Sequence, residues 1–374
     1  MFLSRNNHTL IVCDWSEHIR KRKMRILHVI TSLRTGGAEK LMVDMLPRMK
    51  AKGHDVDLCV FDGIHTPFYE ELERRGVNVI PLRHSVYSPF NIGKLIPLMQ
   101  RYDIVHSHNT ACQYFVSIAS MFVKCRIFTT EHNTSNRRRS AWWRMLDRWM
   151  YERYEKIVCI SELTKKNLIQ HIGGAYEQKC VVIHNGIDLS TFKFVSFSCV
   201  SNEKTIMMVS AFRGQKDQKT LIKAMKELPS NYVLNLVGGG EERLIADCKQ
   251  LVQELHLDDR VKFMGVRTDV PNLLAHANVI VLSSHYEGLS LSSLEGMASG
   301  KPFVASDVEG LRDIVGGYGV LFPHGDAQTL ANEILNLCED ESYAKEVTKR
   351  CQERAKMFDI GVMVRMYLNV YERK

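Results

Sequence analysis

Residues 279–298 read VIVLSSHYEGLSLSSLEGMA, in which an apolar run is followed by a polar turn and then by a second apolar pattern. The run 279–283 predicts a buried strand, because it is short, β-branched and bounded by polar residues. Gly288 indicates a turn, and the residues from Leu289 onward predict a helix. In open α/β sheets ligands bind beyond the carboxyl ends of the strands, so we expect binding residues in this turn.

Two carboxylates, Glu287 and Glu295, stand on either side of the predicted helix start. On one continuous helix, side chains at this spacing would lie about 80° apart. If the helix begins near Leu289, Glu287 lies on the preceding loop and both carboxylates can reach the same ligand. The free N–H groups of residues 288–291 would then bind a phosphate, while the carboxylates would bind hydroxyl groups, such as those of a ribose and a sugar.

A short strand followed by a longer amphipathic segment is a pattern that repeats from Met24 onward. This alternation predicts parallel sheets with helices on both faces. It stops at the turn signal Asn185-Gly186 and resumes after Asn202, which predicts two α/β units joined by a linker. The predicted strands are 25–32, 56–61, 78–82, 103–107, 126–130, 156–160, 181–184, 205–210, 232–237, 261–265, 279–283 and 302–306.

The predicted division of the chain follows from these breaks. Apolar residues at helical spacing, Val362, Met366 and Val370, predict a closing helix at the end of the chain. The N-terminal extension, first domain, linker, second domain and closing helix are expected at residues 1–23, 24–186, 187–203, 204–357 and 358–374.

The composition excludes several classes of protein. With 374 residues, 45% hydrophobic and 25% charged, the chain is neither disordered nor fibrous. Ten cysteines without a Cys-x-x-Cys pair argue against a disulfide framework or a structural zinc. The longest stretch without charged side chains, 104–123, contains two histidines and divides into a strand and a helix, so no membrane span is predicted. The first 23 residues end in Arg-Lys-Arg-Lys after an apolar patch, the reverse of a secretory signal.

Positive charge is concentrated in the first half of the chain. Residues 1–23 have a net charge of +3, residues 24–186 of +8 and residues 187–374 of −3. A one-sided basic domain predicts an acidic partner, such as nucleic acid, a phosphorylated substrate or an anionic membrane.

Residues 137–153 are rich in arginine and tryptophan, with six arginines, two acidic residues and three tryptophans from Arg137 to Arg153. The side chains of Trp142, Met145, Leu146 and Trp149 would share one helix face, and basic residues frame it. This pattern is typical of a helix that lies on an anionic membrane. The alternative is that the same face packs on the sheet while the arginines are solvated.

Glycine turns and histidines follow several other predicted strands. Gly36-Gly37 opens a helix and would let its backbone approach an anion, or it is a plain tight turn. His106 and His108 end one strand and His132 ends the next, which predicts a polar site, although such residues are often structural. Metal binding by the first two histidines has little support, because no carboxylate or thiol accompanies them at a suitable spacing.

Basic residues and glycines open the second half of the chain in a similar way. Arg213 and Lys216 stand beside a glycine at a helix start, where they would suit a pyrophosphate, or they are ordinary solvated side chains. Gly238-Gly239-Gly240 forms another turn between a strand and a helix.

Taken in this order, the motifs resemble those of the retaining GT-B glycosyltransferases of family 4. Glu287 and Glu295 match the Glu-x7-Glu motif of GT-B enzymes, which is common by chance when it stands alone. The other matching segments are Gly36-Gly37-Ala38-Glu39, His106-Ser107-His108, Glu131-His132-Asn133, Asn185-Gly186-Ile187-Asp188, Gln215-Lys216-Asp217, 261–265 and Gly300-Lys301-Pro302.

The resemblance implies an N-terminal acceptor domain and a C-terminal nucleotide-sugar domain, both Rossmann-like and facing a central cleft, with the last helix crossing back. It also implies metal-independent transfer with retention at the anomeric carbon. No cofactor is expected, and no protein nucleophile is assigned.

The resemblance also implies a role for each matching residue. Glu295 would bind the nucleotide ribose, Glu287 the donor-sugar hydroxyls, and His108 would lie beside the donor sugar. Arg213 and Lys216 would offset charge on the departing diphosphate. The remaining residues expected to bind substrate are Gly36, Gly37, His132, Gly240, Val266, Gly288, Leu289, Ser290 and Leu291, with the base near Val266 and the diphosphate on the amides of the Gly37 turn and of residues 288–291.

Two positions depart from the family pattern. Ala211 stands where arginine is common, and we infer that Arg213 takes over its role. Ser290 stands where glycine is frequent, within the loop expected to hold the diphosphate.

The expected partners are a nucleotide sugar and a glycan or lipid-linked acceptor of bacterial surface polysaccharide assembly. An anionic membrane surface is expected to contact residues 137–153, and nucleic acid is not expected. The protein is expected in the cytoplasm, peripheral on the inner face of the plasma membrane. The alternatives on this fold are a sugar-nucleotide 2-epimerase and a non-catalytic sugar-nucleotide binding protein.

Overall fold

The computed structural model describes residues 23–34, 36–132, 140–192 and 202–373. These residues form two parallel sheets, ordered β3-β2-β1-β4-β5-β6-β7 and β10-β9-β8-β11-β12-β13. The first sheet contains β1 (Arg25–Ile30), β2 (Asp55–Val60), β3 (Asn78–Pro81), β4 (Ile104–His108), β5 (Arg126–Glu131), β6 (Lys156–Cys159) and β7 (Cys180–Val182). The second contains β8 (Lys204–Val209), β9 (Tyr232–Val237), β10 (Val261–Gly265), β11 (Val279–Leu282), β12 (Phe303–Ser306) and β13 (Val320–Phe322).

Helices connect these strands, as the alternating pattern predicts. The helices of the first half are α1 (Gly37–Ala51), α2 (Pro67–Arg74), α3 (Phe90–Met99), α4 (Thr110–Ala119), α5 (Ala141–Arg153) and α6 (Glu162–Ile172). Those of the second half are α7 (Gln218–Glu227), α8 (Glu242–Glu254), α9 (Val270–His276), α10 (Leu291–Ala298), α11 (Glu309–Val315), α12 (Ala327–Glu339), α13 (Glu341–Ala355) and α14 (Ile360–Glu372).

The observed strands lie close to the predicted ones, with one addition. β13 was not predicted, because three residues are too short for a periodic signal. The α/β class is confirmed, whereas the positions of the domain boundaries stay predictions. Residues 1–22 of the predicted extension and 193–201 of the predicted linker lie outside the described residues.

Each sheet reverses its direction of growth at one pair of strands. β1 and β4 are neighbours in the first sheet, and β8 and β11 are neighbours in the second. Connections on the two sides of such a point leave toward opposite faces, which opens a crevice at the carboxyl ends of the strands. His108 ends β4, and the loops after β1, β8 and β11 contain the Gly36-Gly37 turn, Lys216 and Glu287. The topology therefore places residues that are distant in sequence at two crevices.

The closing helix α14 packs against the first sheet although it follows the second half in sequence. Its backbone joins the 185–188 segment, since the N–H of Ile360 donates to the carbonyl of Ile187 at 2.9 Å. A Cβ on Gly186 would lie 2.8 Å from the Cα of Ile360, so this close approach requires glycine. The predicted packing face was partly wrong: Met366 is 39% exposed, whereas the buried face is formed by Ile360, Met363, Val364, Tyr367, Leu368, Val370 and Tyr371.

Helix α5 directs its predicted apolar face toward solvent. The exposed fractions of Trp142, Met145 and Trp149 are 62%, 54% and 38%, and Leu146 is half-buried. The helix packs on the protein through other residues, among them Met150, which is fully buried. The alternative that the tryptophan face packs on the sheet is therefore wrong.

None of the helices within the described ranges is long and apolar enough to cross a bilayer.

Candidate functional site

Glu287 lies on a loop at the carboxyl end of β11, where three side chains hold its carboxylate. Lys216 Nζ forms an ion pair with Oε1, Ser284 Oγ donates to the same oxygen at 2.8 Å, and Gln215 Nε2 donates to Oε2 at 2.9 Å. Glu287 is only 4% exposed. An isolated β-bridge between Lys216 and Ser284 joins the two loops, so backbone and side chains together fix the carboxylate beside the ammonium group.

Gly310, at the start of α11, supports the Glu287 loop, and sequence reasoning missed it. A Cβ on Gly310 would lie 2.1 Å from the carbonyl oxygen of Glu287 and 2.6 Å from that of Gly288. Helix and loop backbones therefore meet without room for a side chain. The only sequence signal was a glycine near the start of a helix, and that pattern also occurs where no close contact exists.

We expect Gly310→Ala to lower turnover, because the methyl group must push the Glu287 carbonyl and thereby move its carboxylate. The loss should exceed about 10-fold, since small displacements of positioning groups have large kinetic effects. Steady-state kinetics at a saturating concentration of the expected nucleotide sugar would measure it. The matched control is Gly93→Ala, whose added Cβ meets no heavy atom within 4 Å. Unchanged turnover in a folded Gly310→Ala variant would contradict the supporting role.

Glu295 lies on α10, which begins at Leu291 with Ser290 as its N-cap residue. The helix start thus separates Glu287 on the loop from Glu295 on the helix, as the sequence predicted. Burial raises the pKa of Glu295 to about 7, while the charge of Lys40 lowers it and that of Asp44 raises it. Lys40 and Asp44 belong to α1, so Glu295 faces the other half of the molecule.

The N-termini of α1 and α10 meet across the cleft. A Cβ on Gly37, the first residue of α1, would lie 3.9 Å from Cδ1 of Leu291, the first residue of α10. Neither helix has a side-chain cap, so both present backbone amides and the positive end of a dipole there, which favours an anion between them. The sequence predicted each turn as an anion site, and the structure brings the two together.

Arg213 is exposed on the loop after β8. Glu39, in the first turn of α1, has a pKa raised by burial and lowered in part by the charge of Arg213. The guanidinium group is thus within electrostatic reach of the α1 N-terminus, although its residue belongs to the other half. Ala211, two residues earlier on the same loop, is half-buried.

Close contacts with neighbouring residues explain the glycines in the turn after β9. A Cβ on Gly240 would lie 2.2 Å from the carbonyl oxygen of Phe212, and its φ is +155°. Val266, expected near the base, is 58% exposed and covers Gly239, whose Cβ would lie 2.8 Å from the valine Cγ2. Contacts of Gly240 and Val266 with substrate stay predictions.

The histidines form a hydrogen-bonded chain that only the structure reveals. His108 Nε2 shares a hydrogen bond with His28 Nδ1 at 2.9 Å, and its Nδ1 shares one with His132 Nε2 at 3.1 Å. Burial lowers the pKa of His28 to about 3 and that of His132 to about 4, and it lowers the pKa of His108 as well. All three rings are therefore neutral at pH 7.

This chain changes the expectation for His108. Both of its ring nitrogens already have partners, and its side chain is fully buried. His132, at the other end of the chain from the buried His28, is half-exposed. His132 is thus the most accessible member of the chain, and contacts of His108 and His132 with substrate stay predictions. His28 was missed because a lone histidine in an apolar strand usually reads as a core residue.

His106, which the sequence also placed at the site, belongs to the core. Its Nε2 shares a hydrogen bond with Thr130 Oγ1 at 2.7 Å, and its Nδ1 shares one with Tyr371 OH of α14 at 2.8 Å. The closing helix α14 therefore packs against the buried side of the histidines. Asn133 of the Glu131-His132-Asn133 segment lies outside the described residues.

Comparisons with known proteins agree with these observations. The family model Glycosyltransferase Family 4 matches residues 35–191, and the model Glycosyl transferases group 1 matches residues 191–357. The chain is 25% identical over 368 residues to N-acetyl-alpha-D-glucosaminyl L-malate synthase of Bacillus anthracis, covering 90% of this chain and 93% of that protein.

A second relative comes from Escherichia coli. The chain is 24% identical to UDP-Gal:alpha-D-GlcNAc-diphosphoundecaprenol alpha-1,3-galactosyltransferase, covering 89% of this chain and 92% of the relative. Among solved structures, Anabaena HepE in complex with UDP and glucose superimposes with a TM-score of 0.84 at 23% identity, covering 94% of this chain and all of HepE. This last likeness shows a shared fold.

Proposed function

Because the chain belongs to the GT-B glycosyltransferases of family 4 and acts on nucleotide sugars, we propose that it transfers its sugar to a lipid-linked or surface-polysaccharide glycan, with retention and without a metal ion. One observation carries the proposal. Glu287, braced by Lys216, and Glu295 stand on either side of the α10 N-terminus, which faces the N-terminus of α1. Hydroxyl-binding groups thus flank an anion site, as a nucleotide diphosphate sugar requires.

The donor would lie along α10, with its diphosphate between the two helix N-termini. Amides of residues 288–291 and of the Gly36-Gly37 turn would bind its oxygens. Glu295 would accept hydrogen bonds from the ribose, and Glu287 from the sugar hydroxyls. Carboxylates suit hydroxyl donors, and their placement beyond the phosphate site avoids repulsion by the anion.

Cleavage of the bond to the diphosphate leaves negative charge on the leaving group. Lys216 forms an ion pair with Glu287, and Arg213 lies on the same loop as Lys216. Preorganised cations and helix N-termini stabilise such charge as it develops, which is the contribution that a divalent metal makes in other transferases. His132, held by His108 and His28, would contact the sugar or the acceptor from the opposite side.

The acceptor proposal rests on the relatives and on the basic first half. The E. coli relative is named for an undecaprenyl-diphosphate-linked acceptor. Residues 24–186 have a net charge of +8, which favours a substrate or surface of negative charge. We therefore propose that the enzyme works in the cytoplasm, peripheral on the inner face of the plasma membrane.

The decisive experiment is incubation with a panel of nucleotide sugars, with and without a lipid-linked acceptor, followed by assay of nucleoside diphosphate. Release that depends on the acceptor, with an α-configured product by NMR from an α-linked donor, supports the proposal. Release without acceptor, with inversion at C2, would instead indicate a 2-epimerase. Tight donor binding without any turnover across the panel would indicate a binding protein.

Membrane docking through α5 gives a separate prediction. Trp142, Met145 and Trp149 are exposed, and Arg144 and Arg148 flank them on the same helix. Each basic residue near an anionic surface contributes about 1 kcal/mol. We expect co-sedimentation with vesicles containing anionic lipid and much weaker binding to neutral vesicles.

Two variants test the surface and one serves as a control. Trp142→Ser/Met145→Ser should release the protein from anionic vesicles, and the triple variant Arg137→Ser/Arg138→Ser/Arg139→Ser, whose sites lie outside the described residues, should weaken binding. Tyr87→Ser, at a side chain 84% exposed elsewhere, should bind as the unaltered protein does. Equal binding of all variants, or no preference for anionic vesicles, would refute docking.

A further inference from the structure

We propose that Asp217, His285 and His324 bind a transition-metal ion of the zinc class beside the donor site. Within the described ranges, one group of three side chains brings histidine nitrogens and a carboxylate oxygen to within 4.8 Å of one another. The three residues come from the loop after β8, the loop after β11 and the loop after β13. This inference goes beyond the proposed transferase activity and does not depend on it.

The two histidines are already close enough to share a ligand. His285 Nδ1 and His324 Nε2 lie 2.8 Å apart and share a hydrogen bond. Two nitrogens bound to one tetrahedral zinc at the usual bond length lie about 3.3 Å apart. Both rings are exposed, so they can open by this small distance without disturbing the core. The histidine that donates this hydrogen bond takes its other tautomer, in which the proton sits on the other ring nitrogen. The lone pairs of His285 Nδ1 and His324 Nε2 then both face the ion, and no net proton is lost.

Asp217 is the fixed member of the group. As N-cap residue of α7, its Oδ1 accepts from the N–H of Thr220 at 3.1 Å and its Oδ2 from Thr220 Oγ1 at 2.6 Å. Each carboxylate oxygen keeps a second lone pair for a metal. Ligating carboxylates are typically oriented by such hydrogen bonds. Asp217 is only 6% exposed, so the fold sets the orientation of its carboxylate.

The backbone locks two of the three ligands into one unit. The N–H of His285 donates to the carbonyl of Gln215 at 2.9 Å, and the N–H of Asp217 donates to the carbonyl of Ser283 at 3.1 Å. His324 stands beside Gly325, whose φ of +80° makes a tight turn in an exposed loop. His324 is therefore the ligand that moves when the site closes around an ion.

The chemistry of the three ligands determines which kind of ion fits. Two imidazoles and one carboxylate suit zinc, cobalt and nickel, whereas magnesium prefers oxygen ligands alone. Three protein ligands leave a fourth position for water. The ion would tie the loop after β13 to the segment that holds Lys216 and Glu287, because Asp217 follows Lys216 and His285 precedes Glu287 by two residues.

The test measures metal binding directly on the full-length chain after removal of bound ions with a chelator. Titration with Zn²⁺ by calorimetry, and with Co²⁺ by its visible absorption, should reveal a site that Mg²⁺ does not fill. His285→Ala and His324→Ala should each weaken this site by at least ~10-fold. Asp217→Ser, which keeps an N-cap oxygen but removes the carboxylate, should weaken it as well.

A matched control separates this site from other histidines. His276→Ala removes an exposed histidine on α9 and should leave Zn²⁺ affinity unchanged. Zn²⁺ should also raise the melting temperature of the unaltered protein but not that of His324→Ala. The proposal is overturned if His285→Ala and His324→Ala bind Zn²⁺ as tightly as the control, or if Mg²⁺ competes at equal concentration. Because these readouts are independent of turnover, they hold whether or not the transferase proposal does.

Discussion

Replacing Lys216 with alanine is expected to lower turnover by about 100- to 1000-fold, while donor binding weakens much less. The reason is that negative charge on the leaving diphosphate grows between the bound donor and the transition state, so the ammonium group contributes most at the transition state. Lys216 is also the cation that pairs with the buried Glu287. Its removal leaves that carboxylate without its counter-charge, which adds to the loss.

Single-turnover kinetics and donor titration on the same preparations would separate the two effects. Arg213→Ala should lower turnover in the same direction if Arg213 replaces the basic group missing at Ala211. The matched control is Lys219→Ala, since Lys219 lies three residues further along, is exposed and pairs with Asp247. Weaker donor binding with an unchanged single-turnover rate for Lys216→Ala would show that the lysine binds ground state and transition state alike. A fully active Arg213→Ala would refute its replacement role.

The same assay tests metal independence. Activity should survive treatment with a chelator and should not require added magnesium. Loss of activity in the chelator, with recovery on addition of magnesium, would contradict the assignment of the leaving-group charge to Lys216, Arg213 and the helix N-termini.

Replacing Glu295 with alanine is expected to weaken donor binding by roughly 10- to 150-fold, because a charge-assisted hydrogen bond to a buried ribose contributes about 1.5–3 kcal/mol. Isothermal calorimetry with the nucleoside diphosphate would measure it without need of the sugar or the acceptor. Glu242→Ala, at an exposed position on α8, is the control and should bind as the unaltered protein does. Unchanged affinity in a folded Glu295→Ala variant would remove this residue from the donor site.

The pKa of Glu295 gives this interaction a pH dependence whose sign is fixed. With a pKa raised to about 7 by burial, the carboxyl is mostly protonated at pH 6 and mostly ionised at pH 8. The ionised form accepts ribose hydrogen bonds more strongly, so donor affinity should rise with pH by up to about 10-fold across this range. Glu295→Gln cannot ionise and should lack the rise. A falling profile, or the same rise in both proteins, would contradict the role.

Much of the fold was determined by local patterns in the sequence. Parallel strands buried on both faces need continuous apolar runs, such as Val279–Leu282, and these runs are visible without a structure. A helix start near Leu289 was predicted, because a polar turn with glycine precedes an apolar periodicity, and the helix begins two residues later at Leu291. That start in turn separates Glu287 from Glu295 by conformation, and the pair could therefore be proposed as a site from the sequence.

Only the tertiary structure decided which side chains meet. The buried face of α14 was misjudged at Met366 because helical spacing identifies a face but not the surface that covers it. Gly310 and His28 act through contacts with residues 23 and 80 positions away, the carbonyl of Glu287 and the ring of His108. Such contacts depend on strand order and on the direction of each connection, and no local pattern encodes them. For the same physical reason, the sequence could propose His108 as a ligand-binding residue, but only the structure could show that both of its nitrogens are already bonded.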